Sequence, residues 1–159
     1  MNASDLTKTL AQILLSRSWT ISLAESCTGG LVCATLTDLA GSSEWFERGY
    51  ITYSNEAKTE CLDIPPELIE SHGAVSEQVA KAMAEGARIN SGSNVAISIT
   101  GVAGPSGGSA EKPVGTVCFA WATESQTLTK TMHFDGDRQM IRQQATELAL
   151  TELIALLRS

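Results

Sequence analysis

The amino-acid sequence predicts an α/β fold, a three-layer α/β/α sandwich around a mixed, mostly parallel sheet of about five strands. First, amphipathic helical segments alternate with short β-rich runs along most of the chain. Second, two of these runs are almost continuously apolar, which is typical of strands covered by helices on both faces. Third, no helix separates the last two strands, which indicates an antiparallel pair. The 159 residues suit a single domain, 1–159.

The N-terminal third predicts two helices and two strands. In residues 3–17, leucine and isoleucine recur every three or four positions, and Ser4 and Asp5 are typical of an N-cap, so we expect an amphipathic helix. The run TISLAE predicts a strand. Residues 29–40 repeat the helical spacing up to Gly41, a typical C-terminal stop, and the β-branched stretch RGYITYS predicts a second strand.

The rest of the chain continues the alternation. Residues 55–62 predict a short helix, and Pro65-Pro66 interrupts the chain before a turn that ends near His72. Ser76 is typical of the cap of a helix that continues to Gly92. We then expect three strands, NVAISIT, VGTVCFAWAT and TLTKTMHF, and a final amphipathic helix after GDR.

The composition disfavours several classes of function. A formal net charge of -7 and a pI near 4.8 disfavour nucleic-acid binding, which relies on clustered lysine and arginine. The two histidines and four cysteines lack the spacing of zinc ligands. We therefore expect no nucleic-acid partner, no metal and no cofactor.

The sequence also lacks membrane and export signals. No apolar run approaches the roughly 20 residues that a membrane-spanning helix requires. The N-terminus has no basic start followed by an apolar block, as a secretory signal would. We expect a cytoplasmic protein with no membrane partner.

Three polar segments follow predicted strands, namely ESCTGG, TYSNEAK and TGVAGPSGGS. In open α/β sheets, ligands usually bind beyond the carboxyl ends of the strands, where such loops converge. We therefore treat the three segments as candidate parts of one site.

The first segment has two interpretations. Ser26 is placed to act as a nucleophile, with backbone N–H groups near Thr28, Gly29 and Gly30 facing an oxyanion or a phosphate at a helix start. Alternatively, Ser26 only caps the following helix, which is a common role for serine at that position.

The second segment bears on that choice through Tyr53 and Lys58. A serine hydroxyl is a weak nucleophile and needs a base, and no histidine is suitably placed in this sequence. A desolvated lysine with a lowered pKa can supply that base, and a neighbouring tyrosine can relay the proton. The alternative is that Tyr53 packs in the core and Lys58 is solvated on a helix.

The third segment contributes Thr100, Gly101 and Gly104. Its glycines permit close approach of the backbone to a ligand, but neither G-x-x-x-x-G-K-[ST] nor G-x-G-x-x-G is present, which argues against a nucleoside triphosphate loop. Near the C-terminus, Arg138 and Arg142 are one helical turn apart. This spacing suits the binding of an anion, and surface ion pairing is the alternative.

Several long segments together resemble one family. AESCTGG, AGSSEWFERGYITYSNEAK, HGAVSEQVA, ISITGVAGPSGGSAEKPVGTV and GDRQMIRQQA resemble, in this order, the nicotinamide-nucleotide amidases. These are the stand-alone form of the C-terminal domain of the competence-damage-inducible protein CinA. The resemblance covers roughly residues 5–157.

This resemblance implies an enzyme of pyridine nucleotide salvage that hydrolyses the carboxamide of nicotinamide mononucleotide to nicotinic acid mononucleotide and ammonia, without a metal. It implies that Ser26 is the nucleophile and that Lys58 and Tyr53 activate it. The substrate is the expected partner, and we expect a homo-oligomer because so small a domain could complete its pocket with a neighbour. The expected substrate contacts are Thr28, Gly29, Gly30, Ser43, Asn55, Thr100, Gly101, Gly104, Arg138 and Arg142.

Two other functions stay open from the residues alone. One is a non-catalytic nucleotide-binding or regulatory module of the same fold, because a fold can persist when its chemistry is lost. The other is a thiol enzyme that uses Cys27, since a helix start can lower the pKa of a cysteine.

Overall fold

A five-stranded sheet organises the fold, and the computed structural model describes residues 1–159. The strands are β1 (Ile21–Glu25), β2 (Phe46–Ile51), β3 (Val95–Gly101), β4 (Thr116–Thr123) and β5 (Thr127–His133). The helices are α1 (Ala3–Arg17), α2 (Leu31–Thr37), α3 (Asn55–Leu62), α4 (Pro66–His72), α5 (Glu77–Ser91) and α6 (Arg138–Arg158). A short 3-10 turn, Ser42–Glu44, precedes β2.

The strand order is β2-β1-β3-β4-β5. β1 is parallel to both of its neighbours, β2 and β3, whereas β4 is antiparallel to both β3 and β5. The sheet is therefore mixed, as the sequence predicts: β2, β1, β3 and β5 run in one direction, and β4 alone runs in the other. The reason is that no helix crosses over between β3 and β4, so β4 returns beside β3 in the opposite direction.

Helices cover both faces of the sheet, which confirms the three-layer architecture. Alternate residues of β1 point to opposite faces. Ile21 and Leu23 pack against the side formed by α1, α2 and α6, where Leu10 and Leu153 are fully buried. Ala24 packs against the side formed by α3, α4 and α5. The strand ends that carry the polar segments therefore rest on a core that is packed from both sides.

Most of the predicted elements are confirmed. The turn expected after Pro65 forms the helix α4, and the other differences lie at the ends of elements. α1 and α3 have the expected bounds, but the N-cap of α1 is Asn2, whose side chain accepts the N–H of Asp5. α2 begins later than expected because Gly29 and Gly30 have left-handed backbone and belong to the preceding turn. β2 ends earlier because the chain turns into α3 at its N-cap, Ser54.

The helices have amphipathic faces of ordinary globular type. The longest, α6, has 21 residues, and its buried positions recur along one side from Ile141 to Leu157. None of the helices combines the length and apolar character needed to cross a bilayer.

Candidate active site

The three polar segments lie at one edge of the sheet. Because β1, β2 and β3 are parallel, their carboxyl ends meet there, with Ser26 after β1, Thr52 after β2 and Gly101 ending β3. The N–H of Ser26 donates to Ile99 O at 3.0 Å, and the N–H of Thr52 donates to Glu25 O at 2.9 Å. Main-chain hydrogen bonds therefore hold the strand ends in register where the site forms.

A tight turn, Ser26–Gly30, joins β1 to α2 and carries the predicted nucleophile. Ser26 is only 8% exposed, and Thr28 is fully buried. Gly30 adopts a φ of 101°, and a Cβ at this position would lie 3.0 Å from Ile51 Cδ1. Few residues other than glycine tolerate that conformation. The turn is therefore fixed in shape, and Ser26 with it.

Lys58 lies beside Ser26 in the protein interior. Helix α3 begins after its N-cap, Ser54, which places Lys58 in the first turns of the helix, where its side chain is 1% exposed. The Nζ atom lies 3.1 Å from Ser26 Oγ, 2.8 Å from Thr52 O and 3.3 Å from Tyr53 O. The amine thus has three neighbours, one hydroxyl and two backbone carbonyls.

These neighbours suit a neutral amine. Burial lowers the pKa of Lys58, because desolvation disfavours the ammonium form, and no carboxylate forms an ion pair with it. A neutral amine has two N–H donors and one lone pair. The two carbonyls accept the two donors, which leaves the lone pair for the hydroxyl of Ser26. The geometry therefore supports removal of the Ser26 proton by Lys58.

The same contacts bear on the alternatives left open by the sequence. Ser26 does not cap α2, because the N-cap is Gly30, which has no side chain to form a capping bond. Lys58 is buried and not solvated on its helix. Burial raises the pKa of Cys27 to about 12, which leaves almost no thiolate at neutral pH. A cysteine nucleophile is therefore disfavoured relative to Ser26.

Most N–H groups of the turn already have protein acceptors. The N–H of Gly29 donates to Ser26 O at 3.0 Å, and the N–H of Gly30 donates to the carboxylate of Glu25. This removes Gly29 and Gly30 as N–H donors to a substrate. The N–H groups of Cys27 and Thr28 form no hydrogen bond within the chain, and the buried Thr28 hydroxyl also lacks a partner.

The carboxylate that takes up these donors belongs to Glu25, a residue that sequence reasoning missed. Glu25 is fully buried, and its Oε1 accepts the N–H groups of Gly30 and Val32 at 3.1 Å each. Its Oε2 accepts the N–H of Cys33 at 2.9 Å. The signal in the sequence was a charged residue at the end of an otherwise apolar strand, where a charge needs a specific partner.

Tyr53 lies next to the pair, but its phenol group forms no hydrogen bond with Ser26 or Lys58. The side chain is 60% exposed, and its hydroxyl accepts a hydrogen bond from Arg138 Nη2 at 3.3 Å. Only the backbone carbonyl of Tyr53 contacts Lys58. Arg138 also donates through Nη1 to Gly104 O at 2.9 Å, so this exposed arginine connects the second and third polar segments.

Arg142, on α6, contacts the turn Ser26–Gly30 through its guanidinium group. Its Nε donates to Cys27 O at 3.1 Å, and its Nη2 donates to Thr28 O at 2.9 Å. The guanidinium therefore holds the carbonyls of the turn instead of standing free for a ligand. A cleft of about 520 Å³ lies beside Arg138 and Arg142, between α2 and the start of α6.

The expected residues of the third segment have mainly packing roles. Thr100 is buried, and its hydroxyl donates to Ala74 O at 2.9 Å. Gly101 faces β4 so closely that a Cβ would lie 2.8 Å from Thr116 O. Gly104 supplies the carbonyl that Arg138 binds. These residues shape the edge of the site, and the side chain of Thr100 is already bonded.

Two expected residues lie away from the pair. Ser43 lies in the 3-10 turn before β2, at the amino end of that strand, and so at the opposite edge of the sheet from Ser26. Within one chain the structure does not bring Ser43 to Ser26, because the amino and carboxyl ends of one strand lie at opposite edges. Asn55 begins α3 with an exposed side chain, on a groove that leads away along α3 and α4.

Comparison with known proteins places this geometry in context. A family model described as the CinA C-terminal domain matches residues 3–157. The chain is 51% identical over 149 residues to the nicotinamide-nucleotide amidohydrolase PncC of Escherichia coli strain K12, which covers 93% of this chain and 90% of that protein. A CinA-like protein of Syntrophobacter fumaroxidans is also 51% identical over 149 residues. The chain spans about a third of that relative, 35% of its length.

Solved structures agree with the fold. The competence/damage inducible protein CihA from Agrobacterium tumefaciens superposes with a TM-score of 0.96 at 41% identity, covering 100% of this chain and 97% of that one. The competence damage-inducible protein A from Klebsiella pneumoniae gives a TM-score of 0.96 at 39% identity, covering 99% of this chain and 98% of that one.

Proposed function

The chain belongs to the CinA C-terminal domain family, and from this membership we propose that it is an amidohydrolase acting on nicotinamide mononucleotide. The products are nicotinic acid mononucleotide and ammonia. The observation that carries the proposal is the buried Lys58 Nζ, 3.1 Å from Ser26 Oγ, with two carbonyls occupying its other hydrogen-bonding directions. This is the arrangement that a serine nucleophile with a lysine base requires.

The first half of the reaction forms an ester. The Lys58 lone pair takes the proton of Ser26, and Oγ attacks the carbon of the carboxamide, whose oxygen becomes an oxyanion. The Lys58 ammonium then gives its proton to the amide nitrogen as the carbon–nitrogen bond breaks, so ammonia leaves. The result is an acyl group on Ser26 and a neutral Lys58, ready for the second half.

The second half hydrolyses that ester. Lys58 takes a proton from a water molecule as the water attacks the acyl carbon. The bond between the acyl carbon and Ser26 Oγ then breaks, and Oγ takes the proton back from Lys58. One water is consumed in total, one carboxylic acid and one ammonia are released, and the enzyme returns to its starting state.

The oxyanion needs hydrogen-bond donors that the protein does not already use. We assign this role to the N–H groups of Cys27 and Thr28, which directly follow Ser26 and have no acceptor within the chain. One such donor is worth roughly 3 to 4 kcal/mol of transition-state stabilisation in other enzymes. The N–H groups of Gly29 and Gly30 do not take part, because their acceptors are Ser26 O and Glu25.

The substrate phosphate needs a cationic site, and Arg138 suits it better than Arg142. Arg138 is exposed, and its contacts with Gly104 O and the Tyr53 hydroxyl leave further N–H donors for an anion. Arg142 is half-buried and already holds two carbonyls of the turn. A local cation is sufficient here, although the protein as a whole is acidic.

The decisive experiment is to incubate the purified protein with nicotinamide mononucleotide and to measure ammonia and nicotinic acid mononucleotide together. We expect stoichiometric release of both from the wild type and none above background from Ser26→Ala. Binding of the nucleotide without ammonia release between about pH 6 and 9, the range where a tuned base works, would instead favour the non-catalytic module. Cys27→Ala serves as the control for a thiol mechanism and should retain turnover.

The proposal includes a cytoplasmic homo-oligomer. All four cysteines are free thiols, which is common in a reducing compartment. Ile51, Tyr53 and Val114 are exposed apolar side chains at the edge that carries the site, with exposures of 55%, 60% and 38%. A second subunit on this edge would shield them from water. Light scattering that gives the mass of a single chain would contradict this part of the proposal.

A further inference from the structure

Glu25 is a buried carboxylate that the proposed reaction does not use. It is the last residue of β1, and none of its surface is exposed to solvent. The two ion pairs of the structure, Arg48 with Glu47 and Lys130 with Glu152, do not involve it. A buried charge without a counterion is costly unless hydrogen bonds compensate it. At Glu25 three main-chain N–H groups provide these hydrogen bonds.

These N–H groups lie on the far side of the nucleophile turn. Glu25 precedes Ser26, and the donors are Gly30, Val32 and Cys33, at and just beyond the start of α2. Gly30 occupies the N-cap position but has no side chain with which to cap the helix. One carboxylate therefore joins the end of β1 to the start of α2 and closes the turn between them.

The main chain of Glu25 also contacts the half of the site that holds the base. Its carbonyl accepts the N–H of Thr52 at 2.9 Å, and the carbonyl of Thr52 accepts a hydrogen bond from Lys58 Nζ. The side chain thus holds the nucleophile, whereas the backbone holds the base. A substitution of the side chain leaves the second connection in place.

We propose that Glu25 is a positioning residue, whose carboxylate fixes the turn so that Ser26 Oγ stays within hydrogen-bond reach of Lys58 Nζ. This inference rests on the proposed function for its nucleophile and base. It acts through the turn, since its oxygens are occupied by N–H groups and it has no exposed surface for a substrate. Small displacements of a nucleophile are enough to reduce turnover strongly.

The test uses Glu25→Gln, which keeps the shape but replaces one acceptor oxygen with an NH₂ group that cannot accept a backbone N–H. The reactivity of Ser26 is measured with a phosphonofluoridate, which transfers its phosphorus to Oγ and releases fluoride. We expect the labelling rate and kcat to fall at least tenfold, with KM within about twofold of the wild type, because substrate contacts are unchanged. The variant should melt cooperatively.

Glu77→Gln is the matched control. Glu77 is also a carboxylate at a helix start, half-buried, and it accepts hydrogen bonds from Thr129 and Thr131 away from Ser26. The labelling rate and kcat of Glu77→Gln should equal those of the wild type. A folded Glu25→Gln variant with wild-type labelling would overturn the proposal.

A second variant, Glu25→Asp, is tested in case Glu25→Gln does not fold. Aspartate keeps the charge but is one methylene shorter and cannot reach all three donors. If Glu25→Gln does not fold, a folded Glu25→Asp that labels slowly supports positioning, and one that labels at the wild-type rate overturns it. Loss of folding in both variants assigns Glu25 to folding alone and also overturns it. Labelling of the wild type without hydrolysis of the nucleotide would contradict only the proposed substrate, and the Glu25 comparison would still decide.

Discussion

Two glycine-bearing connections follow parallel strands at the same edge of the sheet, and they differ in almost every physical respect. The turn Ser26–Gly30 buries Ser26, Cys27 and Thr28, and charged side chains hold it from both sides. The connection 102–115, which we call the glycine loop, exposes every residue from 105 to 111. Its fixed points are Gly104 O, bound by Arg138, and Lys112, which donates to His72 O.

The difference indicates that a high glycine content alone does not predict where reactive groups lie. In the turn, glycine permits one left-handed bend that brings a strand directly into a helix, and the site then depends on buried charges around that bend. In the glycine loop, glycine permits an exposed excursion with few contacts to the core. Reactivity is expected where an ionisable group is buried with its hydrogen-bonding directions fixed, as it is for Lys58.

The largest difference in kcat between the two connections is expected when the buried amine is removed. Lys58→Met keeps an unbranched apolar stem but has no base, so we expect kcat to fall by about 10² to 10⁴, the range of general base catalysis. Ammonia release measures it. Lys112→Met, the matched substitution in the glycine loop, should change kcat by less than about twofold. A Lys58→Met enzyme that retains a third of the wild-type rate would remove Lys58 from the mechanism.

A second test compares one glycine from each connection. Gly30→Ala and Gly107→Ala both place a Cβ on left-handed backbone, with φ values of 101° and 85°. Each should lower the free energy of unfolding by about 1 to 2 kcal/mol. Only Gly30→Ala should also lower kcat, by about tenfold, because its Cβ meets Ile51 and shifts the turn that carries Ser26.

Urea denaturation and ammonia release measure the two quantities. Wild-type activity in both alanine variants would show that the turn tolerates displacement and that its fixed geometry is not needed. A loss of activity in Gly107→Ala as large as that in Gly30→Ala would place the glycine loop in the chemistry.

Much of the fold could be predicted from periodicity, because local patterns record which face of each element is buried. The spacing of leucines predicted α1 with its observed bounds, and the proline pair correctly separated α3 from the following segment, which was expected as a turn and forms α4. Which of the last two strands is reversed could not be predicted, because the direction of a strand depends on its long-range partner. Apolar residues in β4 look the same beside a parallel or an antiparallel β3.

The site was predictable where a side chain acts and unpredictable where the backbone does. Ser26 and Lys58 were expected from the chemistry of their side chains, and the structure brings them together. The carbonyls of Thr52 and Tyr53, which orient the amine, belong to any residue and leave no signal in the sequence. The position of Ser43 at the opposite edge depends on where β2 begins in space, which sequence proximity does not reveal.

A smaller effect is expected at the boundary between the two connections. Arg138 binds both Tyr53 and the glycine loop and is our choice for the phosphate, so Arg138→Met should raise KM about tenfold or more with kcat nearly unchanged. Initial rates across substrate concentrations measure both. Arg48→Met, at an exposed arginine of β2 that pairs with Glu47, is the control. An unchanged KM in Arg138→Met would assign the phosphate to another group.

The smallest expected effect is on stability, and it follows from the lowered pKa of Lys58. In the unfolded chain, a lysine titrates near about 10.4. Between the lowered folded pKa and that value, the unfolded chain binds more protons than the folded one, so the free energy of unfolding rises with pH. Relative to Lys58→Met, the wild type should therefore gain stability as pH rises through this window, by at most about 1.4 kcal/mol per pH unit.

Urea denaturation of both proteins at several pH values measures this difference. The kcat/KM of the wild type should rise with pH up to the lowered folded pKa of Lys58 and level off above it, because only the neutral form of the amine is a base. If the difference in stability between the two proteins does not change with pH, the amine has the same pKa in the folded and unfolded chains. Burial would then not lower the pKa of Lys58. The turn Ser26–Gly30 and the glycine loop would differ in exposure but not in the reactivity of a buried base.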